Sequence, residues 1–190
     1  MTVIELKPVR ERILDAALEQ YYAQGIRAVS ADKLIAAAHV SKVTFYRHFP
    51  SKDDLVAAYL ETAAAEEVAA VTTARAEHAG DPSAVLRWYA AMVGGTACRP
   101  GFRGCPFINA AAELPKDDHP GRVVIDRHRA WLTDQVAELL TELGVDQPGT
   151  RAGQLMMLRD GAMVSGYLGH APDEVAASLI AAGRAILGRG

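Results

Sequence analysis

Three serines placed close together limit how this chain can fold more than any other feature. Ser30, Ser41 and Ser51 each precede a segment whose apolar residues recur at helical spacing. A serine hydroxyl at such a place accepts a hydrogen bond from a free backbone N–H group in the first turn of a helix. Gly25 ends the helical pattern before the first serine, and Pro50 ends the pattern before the third. The stretch therefore predicts two short helices followed by the start of a longer one.

The remaining sequence also has helical rather than strand-like spacing. Alanine, leucine, glutamate and arginine dominate it, and alternation of β-branched and polar residues never continues for long. Glycine- and proline-containing stretches divide it into segments. The pattern predicts an all-α protein of about nine helices: 8–24, a short helix after Ser30, 42–48, 52–76, 84–96, 107–114, 120–143, 150–169 and 172–187.

Composition excludes several classes of protein. Of the 190 residues, 50% are hydrophobic and 23% are charged, which is typical of a globular protein with a buried core. No uninterrupted apolar stretch is long enough to span a membrane, and two cysteines do not make a disulfide framework. We therefore expect a soluble cytoplasmic protein with no membrane partner.

The distribution of charge singles out the segment around the second serine. The net charge of the chain is −3, yet four basic residues and no acidic residue lie between Lys33 and Lys52. Two short helices joined by the tight turn 38–41 form a helix-turn-helix, whose second helix typically enters the DNA major groove. Lys42 and Thr44 can donate to bases or phosphates, and Val43 can pack on a thymine methyl group. The segment predicts binding to double-stranded DNA.

Residues 10–60 resemble the N-terminal domain of the TetR family of transcriptional regulators. The matching stretches are ILDAALEQYYAQG and VSADKLIAAAHVSKVTFYRHFPSKDDL. His39 departs from the family pattern, because glycine is usual at that place in the turn, and Val43 stands where many members have glycine. The resemblance implies a DNA-binding domain at 1–55 and an effector-binding and dimerisation domain at 56–190. It implies DNA contacts by Ser30, Ser41, Lys42, Val43, Thr44, Tyr46, Arg47, His48 and Lys52.

The resemblance also implies a homodimer formed through the last two helices, near 150–169 and 172–187. Small residues in the first of them, including Gly161, Ala162 and Ser165, would let a partner helix approach closely. A two-fold protein suits a pseudo-palindromic DNA operator. We therefore expect a dimeric regulator, and specifically a repressor that leaves its operator when a small molecule binds.

A small apolar or amphipathic effector is expected to bind among the helices of the C-terminal domain. Asn109 is the most informative candidate, since an amide within an otherwise apolar helix needs a hydrogen-bond partner. Each candidate is also compatible with an ordinary place in the protein core. The candidate ligand-binding residues are Tyr59, Trp88, Met92, Phe102, Phe107, Asn109, His128, Trp131 and Tyr167.

Two other functional classes remain open from the sequence. Cys98 and Cys105 flank a segment with two arginines, and a nearby cation favours the reactive thiolate, so a thiol redox sensor is the alternative function. An enzyme is disfavoured because no catalytic set and no phosphate-binding glycine loop can be recognised. We expect no metal site and no cofactor.

Overall fold

The computed structural model describes residues 7–97, 101–115, 118–169 and 172–188. Every regular element among these residues is an α-helix, which confirms the predicted all-α fold class. The helices are α1 Val9–Gln24, α2 Ala31–Ala37, α3 Lys42–His48, α4 Lys52–Glu77, α5 Pro82–Ala97, α6 Pro106–Glu113, α7 Pro120–Glu142, α8 Pro148–Tyr167 and α9 Pro172–Ile186.

The helix starts agree with the capping residues seen in the sequence. Ser30 accepts from the N–H group of Lys33 at 3.3 Å, and Ser41 accepts from that of Thr44 at 3.1 Å. Ser51 and Asp54 cap each other reciprocally, with backbone-to-side-chain distances of 2.9 and 3.0 Å. The helices α5 and α8 begin about two residues earlier than predicted, each at a proline, because proline fits the first turn of a helix.

The described residues up to Ala63, together with those from Asn109 to Ile125, form one compact unit. Its core contains Ile13, Leu34, Phe45 and Leu55, each at most 1% exposed. These side chains come from α1, α2, α3 and the start of α4. The buried face of the helix-turn-helix is therefore held by the helices on either side of it in the sequence.

The described residues within 64–108 and 126–190 form the second compact unit. Leu140 and Ala152 are fully buried in one of its clusters, where α7 packs on α8. α5 and α9 approach each other very closely: a Cβ atom at Gly94 would lie 2.5 Å from the Cβ atom of Ala176. Glycine is needed at that position because any side chain would collide with α9.

Three helices contribute residues to both units. The division falls within α4 after Ala63, within α6 after Ile108 and within α7 after Ile125. The boundary predicted after residue 55 also falls within α4, and it stays a prediction.

Candidate nucleic-acid interface and interior polar cluster

The turn between α2 and α3 has the backbone shape of a tight helix-turn-helix. The N–H groups of His39 and Val40 donate back to the carbonyls of Ala36 and Ile35, both at 3.2 Å. His39 has a φ of 51°, in the left-handed region that costs little for glycine and more for any other residue. A histidine therefore adopts here a backbone conformation that glycine would adopt at lower cost.

The two sides of α3 differ sharply in burial. Phe45 is 1% exposed and Phe49, the next residue after the helix, is 3% exposed, so this side belongs to the core. Val43, at the start of the helix, is 79% exposed. Lys42 and Tyr46 are also exposed. The exposed side therefore combines an apolar branched side chain with hydrogen-bonding groups, as base reading in a major groove requires.

The other candidates for DNA contact are divided between exposed and half-buried positions. Ser41 and Arg47 are exposed, whereas Thr44 and His48 are half-buried. The Ser41 hydroxyl lies 2.9 Å from the Thr44 hydroxyl and also caps α3, so it already has partners. Ser30 is exposed at the start of α2. These residues stay predicted DNA contacts.

Lys52 is turned towards the interior of the first unit. Its ammonium group donates to the carbonyl of Ile26 at 2.6 Å and lies 5.9 Å from the centre of the Tyr21 ring. Burial lowers the pKa of Lys52, although the charges of Glu113 and Asp53 act in the opposite direction. A phosphate contact by this lysine would require it to leave the carbonyl or to use a remaining N–H group.

Glu113, at the end of α6, holds the turn that joins α1 to α2. Its carboxylate accepts from the backbone N–H groups of Ile26 at 3.0 Å and Arg27 at 2.7 Å. The Arg27 side chain in turn donates to the Glu113 carbonyl at 3.0 Å. Gly25 also belongs to this contact, because a Cβ atom there would lie 2.9 Å from the carboxylate. Sequence reasoning missed this contact, which joins residues more than eighty positions apart.

A polar cluster lies inside the second unit. Glu67 accepts from the Tyr89 hydroxyl at 2.6 Å, and its other oxygen lies 2.7 Å from Nε2 of His128. Burial raises the pKa of Glu67, but the hydrogen bonds and the charge of Arg159 outweigh it and hold the pKa below its ordinary value. The carboxylate is therefore ionised at neutral pH and accepts a hydrogen bond from Nε2 of His128.

Arg159 is the cation of this cluster and is only 6% exposed. Its guanidinium donates to the Tyr89 hydroxyl at 3.2 Å, to the Cys105 sulfur at 3.3 Å and to Asp160 at 3.1 Å. It also lies 3.5 Å from Glu67. Two carboxylates thus face the buried guanidinium, and one of them, Asp160, also accepts from Arg129 at 3.2 and 2.7 Å. The sequence contained no local sign of this pairing, because the partners come from α4, α5, α8 and the segment before α6.

The predicted effector-binding residues are dispersed over both units. Tyr59 and Asn109 belong to the first unit, where Tyr59 packs edge-on against Tyr21 with ring centres 5.6 Å apart. Tyr167 is 51% exposed at the end of α8. Trp88 packs on the cluster around Val85, and Met92 and Phe102 are half-buried.

Three of the predicted residues are brought together in the second unit. The His128 ring is stacked between Phe107, at 4.3 Å between ring centres, and Trp131, at 5.6 Å. This aromatic stack holds His128 against Glu67. The stack gives His128 a structural partner, and its role in ligand binding stays a prediction.

A cavity of about 160 Å³ lies between α5, α7, α8 and α9, within the second unit. Most of its lining is apolar, with buried Arg159 and half-buried Tyr89 among its polar members. None of the nine sequence-predicted residues is among its lining residues. The cavity was missed because the residues that form it look like ordinary helix-packing residues in the sequence.

The other side of α8 and α9 carries exposed apolar residues. Met157, Val164 and Leu168 are 68%, 45% and 70% exposed. A groove between the two helices is lined by small residues, including Gly161 and Ala162. Such a surface is typical of a site that another protein surface covers.

None of the helices among the described residues is long and apolar enough to cross a membrane. Within the same residues, we find no group of three or more histidine, cysteine, aspartate or glutamate side chains that could hold a metal ion. Cys98 of the thiol hypothesis lies outside the described residues, whereas Cys105 is buried as a free thiol.

Comparison with known proteins gives consistent matches. The family model for bacterial regulatory proteins of the tetR family matches residues 13–59. A TetR-family transcriptional regulator from Streptomyces coelicolor is 39% identical, with a TM-score of 0.87 over 95% of this chain and 94% of that one. The reduced form of E. coli NemR has a TM-score of 0.81 over 96% of this chain and 99% of that one, and at 19% identity this likeness concerns the fold alone.

The matches to curated proteins are shorter. The HTH-type transcriptional regulator AcrR of Shigella flexneri is 32% identical over 83 residues, which are 44% of this chain and 39% of AcrR. The chain matches less than half of the length of each of the curated relatives, between 28% and 44%.

Proposed function

Because the chain belongs to the TetR family of transcriptional regulators, we propose that it is a dimeric repressor that releases its operator when a small molecule binds. As a member of this family it is a DNA-binding regulator and not an enzyme. The operator, the dimer and the effector are the proposed parts. The observation that carries the proposal is the difference between the two sides of α3. Val43 on one side is 79% exposed, whereas Phe45 on the other side is buried in the core.

DNA reading by α3 follows from the exposed chemistry. In each subunit, α3 would lie in a major groove, with Val43 against a thymine methyl and Lys42 near bases or phosphates. Two such helices in a dimer would contact half-sites about one helical turn apart, roughly 34 Å. A pseudo-palindromic operator is the sequence that this symmetry requires.

The operator can be selected from random double-stranded DNA and compared between matched variants. Val43→Ala removes two methyl groups and should lose about 1 kcal/mol of discrimination at one base pair per half-site. Val123→Ala is the control, since Val123 is 56% exposed on another helix of the first unit. If the two variants select the same consensus as the wild type, α3 does not read bases through Val43.

A dimer through α8 and α9 is supported by their exposed apolar surface. Gly161 lies in the groove between these helices, and a Cβ atom there would meet no other atom within 4 Å. Arginine at this position should leave the monomer folded and separate the subunits, because a buried unpaired charge costs several kcal/mol. Gly166 is buried inside the unit and is less suitable for this test.

Gly161→Arg can be compared with Gly95→Arg, since both glycines have open space beyond Cα. Light scattering should show a monomer for the first variant and a dimer for the second, while circular dichroism remains helical in both. If Gly161→Arg remains a dimer, the dimer interface does not lie at this groove.

Release by a small molecule requires that the ligand bind one conformer more tightly than the other. Native mass spectrometry of the purified protein would detect a retained ligand, and its addition should release the selected operator. A ligand that binds without changing operator affinity would refute this part of the proposal.

The thiol redox sensor is the second candidate. The Arg159 guanidinium donates to the Cys105 sulfur at 3.3 Å, and reactive cysteines typically have a cationic neighbour. Cys105 is only 2% exposed, which opposes rapid reaction with an oxidant in this conformation. Operator release by hydrogen peroxide that is abolished by Cys105→Ser or Cys98→Ser would support this candidate instead of the small-molecule effector.

A further inference from the structure

The cavity between α5, α7, α8 and α9 has an apolar interior of defined size. Leu86, Val136, Leu155 and Leu179 contribute to its wall, and its volume is about 160 Å³. An engineered apolar cavity of about 150 Å³ binds benzene. The space therefore suits an apolar body of about the size of one aromatic ring.

The charged lining of the cavity is entirely basic. Its lining residues include Arg87, Arg159 and Arg184 and no acidic residue. Arg159 is buried and faces both Glu67 and Asp160. A ligand that met only this arginine would gain little, because its charge is already neutralised within the protein.

The two remaining arginines are exposed and therefore mark the opening of the cavity. Arg87 donates to the Ser83 hydroxyl at 2.7 Å and lies 3.6 Å from Asp81. Arg184 makes no hydrogen bond or ion pair with any residue in 7–96, 101–115, 118–169 or 174–188. It is thus the cation at the opening with no charge partner among the described residues.

We propose that this cavity binds a small monocarboxylate whose apolar body is about the size of a benzene ring and whose carboxylate pairs with Arg184. A guanidinium matches a carboxylate through two parallel hydrogen bonds. The Tyr89 hydroxyl donates to Glu67 and accepts from Arg159, so the interior has no spare donor there and the charged head stays at the opening. The inference rests on the proposed function only where it identifies this molecule as the effector.

Isothermal titration of the purified protein with benzoate and with benzyl alcohol tests the inference. Benzoate should bind to the wild type, and Arg184→Ala should weaken its binding by up to about fivefold, since the exposed position reduces the strength of the ion pair. Benzyl alcohol should be unaffected by that change. Arg87→Ala is the matched control and should change benzoate affinity much less, because Arg87 already has partners.

A second variant tests the location. A Cβ atom at Gly183 would meet only a Leu155 methyl, at 3.6 Å, so Gly183→Leu can place its side chain in the cavity without a backbone collision. It should abolish binding of both compounds while helix content is retained. Arg184→Ala, at an exposed position, keeps the test decisive if Gly183→Leu fails to fold.

The outcomes distinguish binding of benzoate in the cavity from control of DNA binding by that ligand. Equal affinity for benzoate and benzyl alcohol, equal losses in Arg184→Ala and Arg87→Ala, or no binding of benzoate would each overturn the inference. Benzoate binding that depends on Arg184 and also weakens operator binding supports both the cavity and its role. Benzoate binding that depends on Arg184 without any effect on DNA supports the cavity and refutes ligand-controlled release through it.

Discussion

Replacing Glu67 by glutamine is the most direct test of the interior polar cluster. The Glu67 side chain is 12% exposed, and its two oxygens accept hydrogen bonds from Tyr89 and His128. The Arg159 guanidinium lies 3.5 Å from the carboxylate. Glutamine is nearly the same size but has no charge and only one acceptor oxygen. The change therefore removes the electrostatic role of the residue without leaving a cavity.

The expected loss is about 2–3 kcal/mol in the free energy of unfolding. Removing one partner of a buried ion pair typically costs about 3–5 kcal/mol. Arg159 keeps Asp160 at 3.1 Å, so its charge remains partly compensated and the loss should lie below that range. For a chain of this length, the midpoint of thermal unfolding should fall by roughly 5–10 °C.

The assay is thermal unfolding of Glu67→Gln, Arg159→Met and the double variant at one protein concentration. The loss of unfolding free energy in the double variant should be smaller than the sum of the two single losses by at least about 1 kcal/mol. The reason is that the double variant leaves neither charge buried alone. Additive losses within about 0.5 kcal/mol would refute the coupling between Glu67 and Arg159. Glu66→Gln is the matched control, since the neighbouring Glu66 is exposed.

The pH dependence of the free energy of unfolding provides an independent check on Glu67. The pKa of Glu67 in the folded state lies below its ordinary value of 4.5. Its contribution to stability is therefore complete above that pH and is lost as the pH falls through the folded-state pKa. The stability difference between wild type and Glu67→Gln should accordingly be constant near neutral pH and shrink below about pH 4.5. A difference that grows on acidification would contradict this account.

Three further predictions concern the first unit. Glu113→Ala should speed hydrogen exchange of the Ile26 and Arg27 amides, which donate to its carboxylate, by about thirtyfold. The reason is that a hydrogen bond to a charged group contributes about 2 kcal/mol. Glu19→Ala, at an exposed position, should leave the exchange of both amides unchanged. Lys52→Ala should reduce the magnitude of the salt dependence of DNA binding by about 1 without changing base preference, and an unaltered slope would assign this lysine to the Ile26 carbonyl alone. His39→Gly should stabilise the protein by up to about 1 kcal/mol in urea unfolding because of the φ of 51°, while His78→Gly, where φ is not positive, should not.

The sequence was sufficient for the helix-turn-helix and for the fold class. The caps at Ser30, Ser41 and Ser51 depend on groups three residues away, and the buried side of α3 follows from Phe45 and Phe49 in the same short segment. Contacts of this kind are set by local backbone geometry, which the order of residues determines directly. The exposed side of α3 follows as well, because a helix that buries one side presents the other.

Only the tertiary structure decided which polar residues meet. Glu66 and Glu67 are indistinguishable in the run of alanines and glutamates that contains them, yet Glu66 is exposed and Glu67 contacts His128, 61 positions away. Glu113 likewise caps amides that lie 86 and 87 positions earlier in the chain. The helical pattern gives the direction of each side chain around the axis of its helix. Which helices pack together, and how far each is displaced along its axis relative to its neighbours, depends on the summed packing of all side chains. The polar cluster and the cavity beside it are products of that packing, so no local stretch of the sequence contained them.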